Sequence, residues 1–208
     1  MGMRAYYVEL DSEDMTRILD DREAACELLM GSSMGGMDMQ AVFGALGVKD
    51  ADLKAMEKML GPMPAFMKGS PKATAKKKRP TLAIEKSWHA IHFVLNGDPW
   101  KGSGLLFNAV LGGKEVGEDM GYGRPRYLDP FVVVQTSTTL DRMTDDEFKK
   151  KVRSADFSGK DIYVYSDHLS GNHLSGEDFA ELVDYFGQIR AFFHAVADKG
   201  NGILLGIV

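Results

Sequence analysis

Glu85, His89 and His92 have the residue types and the spacing to do chemistry. On a helix, positions four and seven apart share one flank. An imidazole there can serve as general base, and a nearby carboxylate can orient it or join it in holding a metal. Glu118, Asp119, Tyr122 and Arg190 are the groups a fold could bring to that flank, with the guanidinium suited to an anionic substrate. A His/carboxylate set of this kind suits zinc, manganese or iron. The stretch lacks the H-E-x-x-H order of zinc proteases, and a bare His-x-x-His is a weak metal signal. The sequence therefore implies no metal and no cofactor. The structural alternative is a helix border whose histidines hydrogen-bond locally and whose glutamate is solvated.

Two amphipathic segments must position these groups. In the first, Ile84, Trp88, Ile91 and Leu95 form one stripe at helical spacing, with Val94 at its edge. Asn96-Gly97 supplies the stop. In the second, Ser175 opens a long helix whose apolar face runs through Phe179, Leu182, Phe186, Ile189 and Phe193. Arg190 projects into that face and His194 sits at its edge, so the arginine must be paired or must reach water along its stem. The expected partner is Glu118 or Asp119, which would hold the glycine-rich loop 112–123 beside the central helix. Removing one partner of such a pair, when buried, costs ~3–5 kcal/mol. The loop has neither a G-x-G-x-x-G nor a Walker spacing, so its glycines indicate tight turns and not a phosphate cradle.

The remaining segments complete an α+β pattern. Arg4–Leu10 reads as a strand, and Asp11 or Ser12 caps a helix that Asp20-Asp21 splits. Trp100, in a loop beside Pro99, covers the core or lines a pocket. Leu105–Leu111 is a short apolar turn. Arg124–Leu128 reads as a short strand, placed at an edge by Pro125. Asp129-Pro130 starts a helix, Thr144-Asp145-Asp146-Glu147 is a capping box for another, and Asp161–Tyr165 is extended. Ser166, Asp167, His168 and His173 lie in a surface loop without a nucleophile elbow. Ile203–Val208 is a buried-type terminal strand. The expected architecture is a small mixed or antiparallel sheet of the first strand, the central short strand and the last strand, packed with several helices. The strands do not alternate regularly with helices, which disfavours a doubly wound fold.

The 208 residues fit one domain, 1–208, with residues 31–80 as an insertion and linker of different character. Seven of the thirteen methionines fall in that insertion. They either pack a small helical hairpin or form an adaptable surface for a partner. The net charge is −5, and residues 71–80 carry five basic side chains, so the remainder carries −10. An acidic body argues against nucleic-acid binding, and the Lys76–Arg79 run, without interleaved aromatics, reads as a solvated linker. No apolar run approaches the ~20 residues of a membrane helix, and the first residues lack a signal-peptide layout, so the expected location is the cytoplasm. The lone Cys26 reads as a buried, inert thiol.

Several phrases together resemble one family. They are Met1-Gly2-Met3 with its strand, Glu85–Phe93, Asn108–Gly113, Gly117–Gly123, Arg126-Tyr127-Leu128 and the Tyr185–Gly202 segment. The chain is similar to the YfbM-like family of bacterial proteins, a domain of unknown function, over residues 1–30 and 81–208. The resemblance implies a single cytoplasmic α+β domain and transfers no catalytic residue. The expected function is a binding or interaction protein, in one version inhibitor-like towards a basic protein partner. The alternative is a hydrolase with a His/carboxylate site between the central helix and the glycine-rich loop.

Overall fold

The computed structural model describes residues 3–33, 79–163 and 174–208. Their strands are β1 (Ala5–Leu10), β2 (Thr81–Ile84), β3 (Lys114–Glu115), β4 (Arg126–Leu128) and β5 (Gly202–Ile207). Six α-helices are described: α1 (Ser12–Asp20), α2 (Arg22–Ser33), α3 (Trp88–Asn96), α4 (Pro130–Asp141), α5 (Asp145–Ser154) and α6 (Gly176–Ala197). The strands form one sheet in the order β2-β1-β5-β4-β3. Every ladder is antiparallel. The α+β reading holds, and of the two sheet types expected the antiparallel one is realised.

The sheet is covered on both faces. Along β1, Ala5 and Tyr7 enter a large cluster with α3, α4, α5 and α6, whereas Tyr6, Val8 and Leu10 enter a smaller one with α1 and α2. Strand β5 divides the same way, Ile203, Leu205 and Ile207 against Leu204. Double coverage explains why both strands are apolar at nearly every position. The exception, Glu9, is 6% exposed. Its charge is compensated by Lys199 Nζ at 2.9 Å and Asn201 Nδ2 at 2.6 Å.

The helix ends follow from local chemistry. Asp11 accepts from the Glu13 and Asp14 amides to start α1, and Asp21 is extended and breaks the chain before α2. Asp129 caps α4 with Pro130 in its first turn, Thr144 and Glu147 close a full capping box on α5, and Ser175 caps α6. Leu105–Ala109 is a 3-10 helix.

Three sequence expectations are corrected. Ile84 belongs to β2, paired with Ala5, so the central helix begins at Trp88. Ile84 is buried by sheet pairing, and a helical stripe counted it by coincidence. Strand β4 is interior, between β5 and β3, because Pro125 lies just outside it and its missing N–H is not needed by the ladder. Its carbonyl accepts instead from Val116 N at 2.9 Å. Ile162 is buried, but 161–163 form no strand, and residues 164–173 lie outside the described residues, including Ser166, Asp167, His168 and His173.

The seven insertion methionines and Lys76–Lys78 also lie outside the described residues. Arg79 does not. It grips Asp14 with two bonds, Nε to Oδ2 at 2.7 Å and Nη2 to Oδ1 at 2.6 Å. The Asp14 side chain is 5% exposed, so the last cation of the basic run serves an internal ion pair.

Candidate functional site

Helix α3 is buried along its whole length from Trp88 to Leu95, and Gly97, at φ 78°, ends it in the left-handed conformation. Its polar flank is therefore no border with solvent: His89 and His92 are both fully buried. Ser87, just before the helix, spends its hydroxyl on Glu181 of α6. The Trp88 and His89 rings stack at 4.7 Å, and Trp100 covers His89 at 4.2 Å while remaining 52% exposed. Trp100 is thus a cover over buried aromatics.

Both nitrogens of His89 are occupied. Nε2 lies 2.7 Å from the Pro99 carbonyl, and Nδ1 accepts the Tyr163 amide at 2.9 Å. Only one arrangement suits these partners: a neutral ring with its proton on Nε2. Burial lowers the His89 pKa, and the Pro99 carbonyl opposes that shift. His92 is held down further, to about 4, again chiefly by burial. Its ring meets Phe107 edge-on at 5.6 Å. Its Nδ1 has the Asn96 amide at 3.4 Å, and Nε2 closes no hydrogen bond of good geometry. Gly102 seals this corner, since a Cβ there would stand 2.5 Å from Phe107 Cδ2 and 2.6 Å from Asn96 Oδ1.

The other candidate residues are dispersed. Glu85 precedes α3 and pairs with Arg4 at 2.7 Å, both side chains about half exposed. Arg190 donates from Nη2 to Asp145 at 2.7 Å and from Nη1 to the Met143 carbonyl at 3.0 Å. Its guanidinium lies 5.6 Å from the Phe186 ring centre. The expected pair with Glu118 or Asp119 is therefore corrected. The reason is which side of the sheet each segment occupies. Val116 and Met120 pack into the smaller cluster, and Gly117 presses on α2, where a Cβ would lie 3.0 Å from the Arg22 carbonyl oxygen. Arg190 belongs to α6, on the opposite face.

Within the loop, the Asp119 carboxylate accepts from the Gly121 amide at 2.7 Å, and Tyr122 is exposed. The Cys26 thiol, half-buried on α2, donates to the Glu118 carbonyl. Burial raises its pKa, which suits an inert thiol.

Fold geometry thus brings His89 and His92 together and leaves Glu118, Asp119 and Tyr122 across the sheet, with Arg190 committed elsewhere. Among the described residues, no group of three His, Cys, Asp or Glu could hold a metal. What lies open nearby is a groove of about 760 Å³ between the end of α3, the 98–106 segment and Thr139 of α4. Leu95, Leu105 and Leu106 give it apolar walls, and Asn96, Asp98 and Lys101 give it polar ones. The Asp98 carboxylate is already taken by the Trp100 and Lys101 amides, which lower its pKa.

Sequence reasoning also missed the outer face of α4, where Phe131 and Val134 stand exposed. Its signal was available: Pro130 to Leu140 contains no charge.

A family model described as a domain of unknown function, DUF1877, matches residues 1–205, a span that includes residues 31–80. The crystal structure of a protein of unknown function, YfbM from Escherichia coli, aligns with a TM-score of 0.57 over 99% of this chain and 99% of that chain, at 17% identity. That likeness shows the fold alone. No curated protein matches the sequence.

Proposed function

The chain belongs to the DUF1877 family, domains of unknown function, and we propose that it works by binding, as an inhibitor-like partner of a basic protein in the cytoplasm. One observation carries this reading: the two imidazoles of α3 are fully buried, and His89 has both ring nitrogens committed to backbone groups. A general base must reach the proton it abstracts, and these rings face packing. The charge of the chain supports the choice of partner, since the net value is −5 and one basic end of the insertion offsets a more acidic remainder. Among the described residues, no helix is long and apolar enough to cross a membrane.

The hydrolase alternative places its site between α3 and the glycine-rich loop, and the loop acids lie across the sheet from α3. The test is affinity capture from native lysate with the full chain as bait and an unrelated acidic protein of equal charge as control. The reading expects one basic protein, enriched only by the chain, that forms a stoichiometric complex when both are purified. Indistinguishable captures from bait and control would overturn it.

A further inference from the structure

The groove at the end of α3 is lined by polar groups that the fold leaves unused. The Asp98 carboxylate takes the Trp100 and Lys101 amides at 2.9 and 2.7 Å, both on Oδ1. Those bonds fix the carboxylate and leave Oδ2 without a partner among the described residues. They are also the main reason its pKa lies below the usual carboxylate range, with the nearby Lys101 charge adding to the effect. Asn96 is anchored through Nδ2, which donates to the His92 carbonyl at 3.0 Å, so its Oδ1 is a second open acceptor. Gly102 keeps that oxygen uncovered, since a Cβ there would stand 2.6 Å from it. Lys101 and Ser103 are exposed on the same lining, and neither side chain has a partner among the described residues. An ammonium and a carboxylate thus share one groove, near enough to influence each other and not paired. They suit a ligand that carries one charge of each sign, because a singly charged ligand would satisfy one group and be repelled by the other. Leu95, Leu105 and Leu106 suit an aliphatic body, and a volume of about 760 Å³ is in the range of small-molecule sites.

We propose that this groove binds a free α-amino acid with an aliphatic side chain. The ligand's ammonium meets Asp98 Oδ2 and Asn96 Oδ1, and its carboxylate meets Lys101 Nζ and the Ser103 hydroxyl. Its side chain lies against the three leucines. This site goes beyond the protein-partner reading above and does not depend on it.

The test is a ¹H–¹⁵N correlation titration of the labelled full chain with L-leucine. Three probes each lack one feature: leucinamide the carboxylate, isocaproate the ammonium and glycine the side chain. The proposal expects saturable shifts of the Asn96 and Lys101–Leu106 amides with leucine, and binding roughly tenfold or more weaker for each probe. Lys101→Gln is expected to weaken leucine about tenfold and to leave leucinamide unchanged. Asp98→Asn keeps an Oδ1 for the two amides, and it is expected to weaken leucine and leave isocaproate unchanged. General damage to the fold would move both ligands together, and thermal midpoints check that each variant is folded. No saturable shift with leucine up to about 10 mM overturns the proposal. So do shifts confined to other residues, equal binding of leucine and any one probe, or undiminished leucine binding in Lys101→Gln. None of these results bears on the capture of a basic protein, so the two readings stand or fall separately.

Discussion

Arg190 reaches across from α6 to the first residue of α5, where its Nη2 donates to Asp145 Oδ1 at 2.7 Å. The same guanidinium takes the Met143 carbonyl at 3.0 Å, so one side chain fixes the α4–α5 turn against the long helix. A double-mutant cycle separates this pair from the loop acids. Coupling of about 0.5–1 kcal/mol is expected for Arg190→Ala with Asp145→Ala, because both side chains are partly exposed. Coupling of Arg190→Ala with Glu118→Ala is expected to be nil. The measurement is the chemical denaturation midpoint of each variant.

The Asp14–Arg79 pair is a stronger case. Asp14 is 5% exposed at its side chain and Arg79 20%. Arg79→Ala leaves a buried carboxylate without its cation and is expected to cost about 3 kcal/mol. Neutralising Lys76, Lys77 and Lys78 together is expected to leave stability unchanged to within about 0.5 kcal/mol. Equal losses from both changes would contradict an internal role for Arg79.

The central histidines set an acid limit on stability. The folded pKa of His92 is depressed to about 4 from 6.5, and that of His89 is also lowered, in both cases mainly by burial. Above the unfolded value neither costs anything. As pH falls below it, the unfolded chain takes protons that the folded chain refuses, so stability drops. The slope approaches about 1.4 kcal/mol per pH unit for each such group. His194 has the opposite sign. Asp141 and Asp198 raise its pKa, so its contribution is complete below the unfolded value and is lost as pH rises through the folded one. Urea midpoints between pH 7 and pH 4 check this, and His92→Gln should flatten the acid limb.

Gly102 permits the close packing over His92. Gly102→Ala places a methyl group against Phe107 and Asn96 at 2.5 and 2.6 Å and is expected to cost about 1–3 kcal/mol. Gly176→Ala, where a Cβ meets nothing within 4 Å, serves as the control. Thermal midpoints of the two variants should differ clearly.

Much of this fold could be read from the sequence because its signals are local. Asp129-Pro130, the Thr144/Glu147 box and Ser175 each satisfy amide groups within a few residues, and each starts a helix where expected. β2 and β3 were harder. Thr81–Ile84 has only four residues and owes its strand state to β1 at the far end of the chain, and Lys114–Glu115 has only two, paired with the next strand, β4. The candidate site failed for a deeper reason. Strands β1 and β5 are buried on both faces, so neither shows the alternation that would assign a flanking segment to one side. Placing Glu118 and Arg190 together required that assignment. Their charges were legible, and the side of the sheet was not.

The most direct test is long-range ¹H–¹⁵N correlation NMR of the histidine rings in the full chain between pH 7 and pH 5. Expected are a His89 that is neutral at pH 7 with its proton on Nε2, a His92 that is neutral throughout that range, and a His194 that changes charge at a pH above its ordinary value. A protonated His89 or His92 at pH 7, or a His89 signal that moves when Glu118 and Asp119 are replaced by alanine, would contradict that pattern.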